Sequence, residues 1–149
     1  MRKIALGLVA ALLSFALLGA WPAAAEVVDR ITIEQRDAGA KIHLLLTVPV
    51  RYVRHSPAER GQLVVVVLEA LPFEGVAPIS PVEEVKRGRS NERVPPFTVR
   101  VSLDPTCNPA TPRPVCLVLR FQRPVHYRIG LGSDNRSIVV ELLPEERAP

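Results

Sequence analysis

Two stretches of the sequence match each other over 27 positions without a gap: IHLLLTVPVRYVRHSPAERGQLVVVVL at residues 42–68 and LVLRFQRPVHYRIGLGSDNRSIVVELL at residues 117–143. The shift of 75 residues gives seven identities: Leu44/Leu119, Pro49/Pro124, Val50/Val125, Tyr52/Tyr127, Val64/Val139, Val65/Val140 and Leu68/Leu143. The shared Pro-Val-x-Tyr falls at the same place between apolar runs, which chance similarity among Val and Leu does not explain. The match predicts an internal repeat of one structural unit.

Apolar and polar residues alternate along most of both stretches and along the segments that precede them. A period of two residues is typical of β-strands with one buried face. Residues 63–68 and 138–143 are almost continuously apolar and are predicted to be central strands. We therefore predict an all-β fold: a small sandwich of two similar four-stranded sheets from an internal duplication, with half 1 at about residues 27–69 and half 2 at about residues 97–143.

Frequent prolines between the apolar runs leave room for at most one short helix. Ser80 as N-cap, Pro81 at the first helical position and Glu83 at the third are typical of a helix start. Gly88 suits the end of such a helix. An irregular connection fits these residues equally well.

The N-terminal segment has the pattern of a secretory signal peptide. Arg2 and Lys3 precede an apolar run at residues 4–18, and three alanines ending at Ala25 supply small residues for cleavage. The apolar run is about 15 residues long, whereas a helix that spans a bilayer needs about 20. We therefore predict that residues 1–25 are a cleavable signal peptide.

Removal of the signal peptide leaves one predicted domain at residues 26–144 and a short tail at residues 145–149. Arg2 and Lys3 are lost with it, so the formal net charge falls from +4 to +2. Export and a small net charge argue against a nucleic-acid partner. We predict a periplasmic protein that is not embedded in a membrane.

Cys107 and Cys116 are the only two cysteines of the chain. In an oxidising compartment this pair predicts a structural disulfide that closes a proline-rich loop. The alternatives are a metal ligand pair or a nucleophilic thiol. A metal site would need further His or Cys residues at ligand spacing, which the sequence lacks. We predict no metal and no cofactor.

Residues 116–142, CLVLRFQRPVHYRIGLGSDNRSIVVEL, resemble the AMIN domain of Gram-negative periplasmic proteins. In that family an apolar strand ends in a Phe-x-x-Pro-Val-x-Tyr-like turn, and a polar Asp-x-Arg-Ser loop leads into a final Ile-Val-Val strand. Residues 41–71 are similar but match less well. The proline-rich segment 107–116 and the basic connection 86–93 depart from the pattern.

This resemblance implies two symmetric four-stranded sheets and a targeting function. AMIN domains occur at the N-termini of periplasmic N-acetylmuramoyl-L-alanine amidases and of type IV pilus secretins. There they direct proteins to the cell wall or septum through peptidoglycan. The same role is the expectation for this chain.

Sequence signatures of catalysis are absent. His43, His55 and His126 lie on separate segments without metal-binding spacing, and the chain has neither a Gly-x-Ser-x-Gly turn nor a phosphate-binding glycine loop. We predict that the protein is not an enzyme.

A sheet face rich in arginine is the first predicted binding site. If Leu119 and Phe121 face the core, alternation turns a set of cationic side chains outward, and we predict that these share one ligand-binding face: Arg100, Arg120, His126 and Arg128. Guanidinium groups pair with the carboxylates of stem peptides or of an acidic protein. The alternative is that these arginines only solvate the sheet.

The densest run of positive charge is the second predicted site, a loop for anionic envelope polymers: Lys86, Arg87, Arg89 and Arg93. A solvated loop is the alternative. Tyr52 and Tyr127 occupy equivalent places in the repeat. Either they are buried with their hydroxyls at a sheet edge, or they stack against sugar rings.

Together with the signal-peptide pattern, the resemblance to AMIN domains implies a periplasmic, non-enzymatic module that binds peptidoglycan or another component of the cell envelope. The alternative is a protein-interaction subunit of an envelope machine, such as a pilus or secretin assembly, that uses a sheet edge or the segment 86–93. A third interpretation is an exported regulator of a wall hydrolase.

Overall fold

A computed structural model describes residues 26–72 and 84–144. These residues form eight β-strands and one short 3-10 turn at Pro105–Cys107. The strands are β1 (Val28–Arg36), β2 (Gly39–Leu46), β3 (Val50–Ser56), β4 (Arg60–Ala70), β5 (Glu84–Gly88), β6 (Phe97–Ser102), β7 (Pro114–Leu131) and β8 (Ser137–Leu143). The prediction of an all-β fold is therefore confirmed.

All strand pairs are antiparallel, and one long strand joins two groups of strands. The second part of β7 pairs with β8, giving a four-stranded sheet in the order β1-β2-β8-β7. The first part of β7 lies between β4 and β6, giving a five-stranded sheet in the order β3-β4-β7-β6-β5. The structure is thus one continuous hydrogen-bonded sheet folded into two layers, with four and five strands.

The strand β7 changes partners at Pro124. Its pairing with β4 is regular from Pro114 to Arg120, and then skips to Val125, which lies opposite Gly61. Proline has no N–H to donate to a ladder, and such irregularities bend a strand. The bend carries the chain from the five-stranded sheet to the four-stranded sheet.

The core lies between the inner faces of the two sheets. Its alternate residues are buried along every central strand, and its largest fully buried side chains are Tyr127, Phe121, Ile42, Leu44, Leu46, Leu68, Leu117, Leu119 and Ile138. Strands β4 and β8, which contain the two apolar runs, are central as predicted. The two sheets therefore bury one face each against a common core, in the manner of a sandwich.

Over its described part, the segment at residues 80–88 is neither the short helix nor the irregular connection that the sequence left open. Glu84–Gly88 forms β5 at the edge of the five-stranded sheet, and Ser80 to Glu83 lie outside the described residues. Burial along β5 alternates, with Val85 and Arg87 exposed, which is the strand period. Pairing with β6 outweighs the capping pattern of the sequence.

Strand pairing follows the same scheme in both halves of the chain. β1 pairs with β2 as β6 pairs with the first part of β7, and β3 pairs with β4 as the second part of β7 pairs with β8. The shift of 75 residues between the two halves is too large by one residue in the last strand. Tyr52 lies opposite Leu68 and Tyr127 lies opposite Leu142, so Leu68 corresponds to Leu142 and not to Leu143. An irregularity between Tyr52 and Arg54 adds the extra residue. The internal duplication itself stays a prediction.

Cys107 and Cys116 form the predicted disulfide, with their Cα atoms 6.4 Å apart. Cys116 lies opposite Val67 on the outer side of the five-stranded sheet. Cys116 and Val67 are both buried, yet neither belongs to the core cluster. The loop that the disulfide closes therefore covers one end of this outer face.

Candidate functional site

The bend in β7 separates the arginines that the sequence was expected to bring together. Arg120 points outward from the five-stranded sheet, between Leu63 on β4 and Thr98 on β6. Arg128 points outward from the four-stranded sheet, opposite Glu141 on β8. The prediction of a single face is therefore wrong, because the two sheets turn their outer faces away from a common core.

The outer face of the four-stranded sheet is balanced in charge and is called here the ion-paired face. Four residues directly opposite one another alternate in sign across it: Glu34, Lys41, Glu141 and Arg128. Lys41 Nζ lies 3.9 Å from Glu141 Oε1. Glu34 contacts Arg36 at 2.8 Å and His43 Nε2 at 3.4 Å. Arg128 is thus one member of a balanced row, which is the arrangement expected of a solvated surface.

The outer face of the five-stranded sheet is different and is called here the arginine face. Its two central rows of opposed residues contain three arginines and no acidic residue: Val65, Val118, Arg100 and Val85 in one row, and Leu63, Arg120, Thr98 and Arg87 in the other. Among the described residues, Glu69 is the acidic residue on this outer face. It lies near the end of β4, away from these two rows, and is ion-paired with Arg51. Arg100 also has an interaction partner.

A groove opens on the arginine face where β5, β6 and β7 meet, with a volume of about 600 Å³. It is lined by Gln62, Arg87, Gly88, Pro96, Phe97, Thr98, Arg120, Phe121 and Gln122. Among the described residues, Arg87 and Arg120 form neither ion pairs nor side-chain hydrogen bonds, and both are exposed. Within the described part of the chain, the groove thus offers two guanidinium groups that have no partner.

The base of the groove depends on a glycine. Gly88 lies opposite Phe97, and a Cβ atom at Gly88 would overlap the Phe97 ring. The ring in turn lies 5.4 Å from Phe121, centroid to centroid. At the open end, Gln62 Nε2 donates to the carbonyl of Gln122 at 3.2 Å. Close approach of β5 to β6 at Gly88 therefore sets the position of the neighbouring Arg87.

Two apolar side chains border the cationic part of this face. Leu63 is 45% exposed beside Arg120, and Val85 is 60% exposed opposite Arg100. They are the most exposed large apolar residues of the described chain. The arginine face is therefore amphipathic, whereas the ion-paired face is dominated by charges.

The basic run at residues 86–93 is not a uniform solvated loop. Lys86 Nζ lies 2.7 Å from Glu26 and 3.3 Å from Glu84, and Glu84 also accepts the backbone N–H of Val27 at 2.8 Å. Burial opposes the ammonium charge, but the two carboxylates outweigh it and raise the pKa of Lys86. Lys86 therefore belongs to an ion-paired cluster next to the start of β1.

The remaining members of that run are divided as well. Arg87 lines the groove, and Arg89 is exposed. Arg93 donates from Nη1 to the carbonyl of Arg36. Asn91 Oδ1 accepts the N–H groups of Arg93 and Val94 at 2.9 and 2.8 Å, which orders the turn. Only Arg87 thus joins the groove.

His126 lies away from the groove, at the bend of β7. It is half-buried and lines a cavity of about 280 Å³ together with residues that include Asp37, Arg93 and Arg123. This cavity carries both signs of charge. His126 therefore belongs neither to the arginine face nor to its groove.

The two repeated tyrosines have structural roles. Tyr127 is fully buried, and its hydroxyl donates to the carbonyl of Pro57 at 2.7 Å. Tyr52 hydrogen-bonds His55 Nδ1, and His55 Nε2 bonds to the carbonyl of Ala58 at 2.7 Å. Burial raises the pKa of both tyrosines. They hold the turn between β3 and β4, and Tyr127 has no surface on which a sugar could stack.

The Asp-x-Arg-Ser segment is likewise a structural turn. Asp134 Oδ1 accepts from Ser137 Oγ at 2.7 Å and from the N–H groups of Arg136 and Ser137 at 3.0 and 2.9 Å. The hydrogen bond from Ser137 Oγ, with that from the Arg136 amide, lowers the pKa of Asp134. The carbonyl of Asn135 accepts from Val50 N at 2.9 Å, which ties the turn to the start of β3.

The described residues hold no cluster of three or more His, Cys, Asp or Glu side chains suited to a metal ion. They also include no helix long and apolar enough to cross a bilayer. Comparison of the chain with protein-family models, curated proteins and solved structures gave no match. The function must therefore be argued from the groove.

The groove brings together two residues that the sequence analysis assigned to separate sites. Arg120 was assigned to the arginine-rich sheet face, and Arg87 to the basic run at residues 86–93. Gln62 and Thr98 were missed, although both line it. The outward parity of Thr98 is readable from the sequence, but its place between Arg87 and Arg120 depends on the pairing of β6 with both β5 and β7.

Proposed function

We propose that this protein is a periplasmic, non-enzymatic module, similar to AMIN domains, that binds peptidoglycan through the groove of the arginine face. The observation that carries the proposal is the pair Arg87 and Arg120, exposed in one groove on a face whose central rows contain no acid. The signal-peptide pattern supports a location outside the cytoplasm, and the disulfide fits an oxidising compartment.

The chemistry of the groove suits a polymer that carries carboxylates and amides. Each guanidinium can donate two parallel hydrogen bonds to a carboxylate of a stem peptide. Gln62, Thr98 and Gln122 add donors and acceptors for hydroxyl and acetamido groups. An open, rigid groove of this kind fits retention of a long ligand, which contacts the surface at several points along its length.

Sedimentation with purified sacculi tests this proposal. The double variant Arg87→Glu/Arg120→Glu should remain in the supernatant, because it replaces both attractive charges by repulsive ones. Arg128→Glu is the matched control for each single variant, Arg87→Glu and Arg120→Glu, since it makes the same charge change at an exposed arginine on the ion-paired face. Equal sedimentation of the wild type and the double variant would disprove the groove as the site.

Ionic strength supplies a second readout of the same assay. Charge-dependent binding in an exposed groove should weaken between low and physiological salt, since the Debye length falls to about 8 Å at 0.15 M. Wild-type sedimentation that does not change with salt would contradict a role for Arg87 and Arg120.

The exposed apolar residues favour a second candidate, a protein-interaction subunit of an envelope assembly. Leu63 and Val85 flank the arginines, and apolar residues with arginine are typical of protein interfaces. Leu63→Ser/Val85→Ser should then abolish cross-linking to a defined envelope partner while sacculus binding persists. If the same variant loses neither, this second function is rejected.

A further inference from the structure

Three residues of the groove lie directly opposite one another on neighbouring strands. Arg87 of β5 is opposite Thr98 of β6, and Thr98 is opposite Arg120 of β7. Neighbouring strands lie about 4.8 Å apart, so the backbones that carry the two arginines are separated by about 10 Å. Thr98 places a half-buried side chain between them.

The two arginines lie on paired strands, and their guanidinium groups have no partner among the described residues. Both strands are held by pairing with β6, and Gly88 sets the approach of β5. Neither arginine is paired to a described residue, so two positive charges face the same groove. Arginines held on a preorganised sheet lose less entropy on binding than arginines on a flexible loop.

A single carboxylate satisfies this arrangement poorly. It neutralises one charge of two, and both long side chains must converge on it at a cost in rotamer entropy. Two carboxylates separated by about the same 10 Å would give each guanidinium its own partner in the bidentate geometry. In an extended peptide, about three residues span this distance.

We propose that the groove is a two-point reader of dicarboxylates: it selects extended, acidic peptide ligands that carry two carboxylates about 10 Å apart, one on Arg87 and one on Arg120. This inference rests on the proposed function, because it names the part of the ligand that the groove recognises. Thr98 lies between the two contacts and faces the backbone of the bound peptide.

Titration with short synthetic peptides tests the inference directly. The probes are N-acetyl-Glu-Ala-Ala with a free C-terminus, which has two carboxylates, and two probes with one carboxylate each: its C-terminal amide and N-acetyl-Gln-Ala-Ala. N-acetyl-glutamate serves as the control for spacing, since its two carboxylates lie closer together. Affinity is read from the amide NMR shifts of Thr98 and Arg120 in the intact protein.

We expect the dicarboxylate peptide to bind about tenfold more tightly than either peptide with one carboxylate and more tightly than N-acetyl-glutamate. Arg87→Gln and Arg120→Gln should each remove this preference, leaving the three peptides equal. Arg128→Gln, on the ion-paired face, should keep it. Melting temperatures equal to that of the wild type show that the variants are folded.

The outcomes separate this inference from the proposed function. Sacculus binding that depends on Arg87 and Arg120, together with equal affinity for all three peptides, would overturn the two-point reading and leave the function intact. A tenfold preference for the dicarboxylate without sacculus binding would support the two-point reading and reject the cell-wall function. Preference that survives Arg87→Gln would also overturn the inference.

Discussion

The two outer faces of this molecule differ in how their charges are balanced. On the ion-paired face, Arg128 lies opposite Glu141 in a row whose signs alternate. On the arginine face, Arg120 lies between Leu63 and Thr98, and the same row ends in a second arginine, Arg87. The charges of the first face are paired with one another, whereas on the second face Arg87 and Arg120 have no ion-pair partner among residues 26–72 and 84–144.

This difference is not imposed by the strand arrangement, since the pairing scheme is the same in both halves. Leu44 and Leu119 occupy equivalent core positions, so the counterpart of Arg120 is Leu45. The strand β5, which carries Arg87, has no counterpart among the described strands of the four-stranded sheet. The groove therefore arises from side-chain differences and an added edge strand, both confined to one half of the fold.

The largest expected effect concerns the loop that covers one end of the arginine face. Cys107→Ser/Cys116→Ser should lower the free energy of unfolding by about 2.7 kcal/mol, because the disulfide closes a loop of ten residues. Denaturant unfolding measures this, with reduced wild type as control. Equal midpoints for the oxidised and reduced protein would show that the bond adds nothing.

The next effect concerns the base of the groove. Gly88→Ala should cost about 2 kcal/mol, since the new methyl group overlaps the Phe97 ring, and it should displace β5 from β6. Gly130→Ala is the control, because a Cβ there meets no atom within 4 Å. If the two variants have the same melting temperature, the close approach of β5 to β6 at Gly88 does not contribute to stability.

The turns before β4 and β8 should respond differently to pH. Tyr127→Phe should cost about 1 kcal/mol through loss of the bond to Pro57, and the cost should persist across acid and neutral pH. Since burial raises the pKa of Tyr127, this contribution is full below pH 10 and is lost only as the pH rises above that value.

Asp134→Asn should cost roughly 0.5 kcal/mol near neutral pH, discounted because the carboxylate faces solvent. The lowered pKa of Asp134 means that its contribution is present above its ordinary value of 3.8 and is lost as the pH falls below it. The unfolding curves of the variant and the wild type should therefore differ at pH 7 and coincide in acid. A constant difference would contradict the role of the charge.

The smallest expected change in stability comes from charge reversal of an arginine, and its sign differs between the two faces. Arg128→Glu places two carboxylates opposite each other at Glu141 and should destabilise by about 0.5 kcal/mol. Arg120→Glu gains an opposite charge diagonal to Arg100 and should leave stability unchanged or raise it by a few tenths. High salt should shrink the difference. Destabilisation by both variants to the same extent would erase the distinction between the faces.

Much of this structure was predictable from local patterns. Alternation correctly turned Leu119 and Phe121 inward and Arg120 outward, and the cysteine pair correctly indicated the disulfide. For Val85 to Gly88 the sequence left a helix end and an irregular connection open. The segment is instead a strand, because capping residues are a local signal and pairing with β6 is not. Lys86 was predicted to lie in a loop that binds anionic polymers, but it lies on β5 in ion pairs with Glu26 and Glu84. Glu84 is two residues away on the same strand, whereas Glu26 is 60 residues away in the chain, and that ion pair could not be predicted from the local sequence.

The sequence by itself determined which side of each strand is buried, because side chains alternate with a period of two and apolar groups leave water whatever the strand's neighbours are. Only the tertiary structure decided which outer face each arginine joins. The bend near Pro124 sends Arg120 and Arg128 to different sheets, and long-range pairing places Arg87 and Arg120 on either side of Thr98. Strand register is fixed by contacts between residues far apart in the chain, which no local pattern contains.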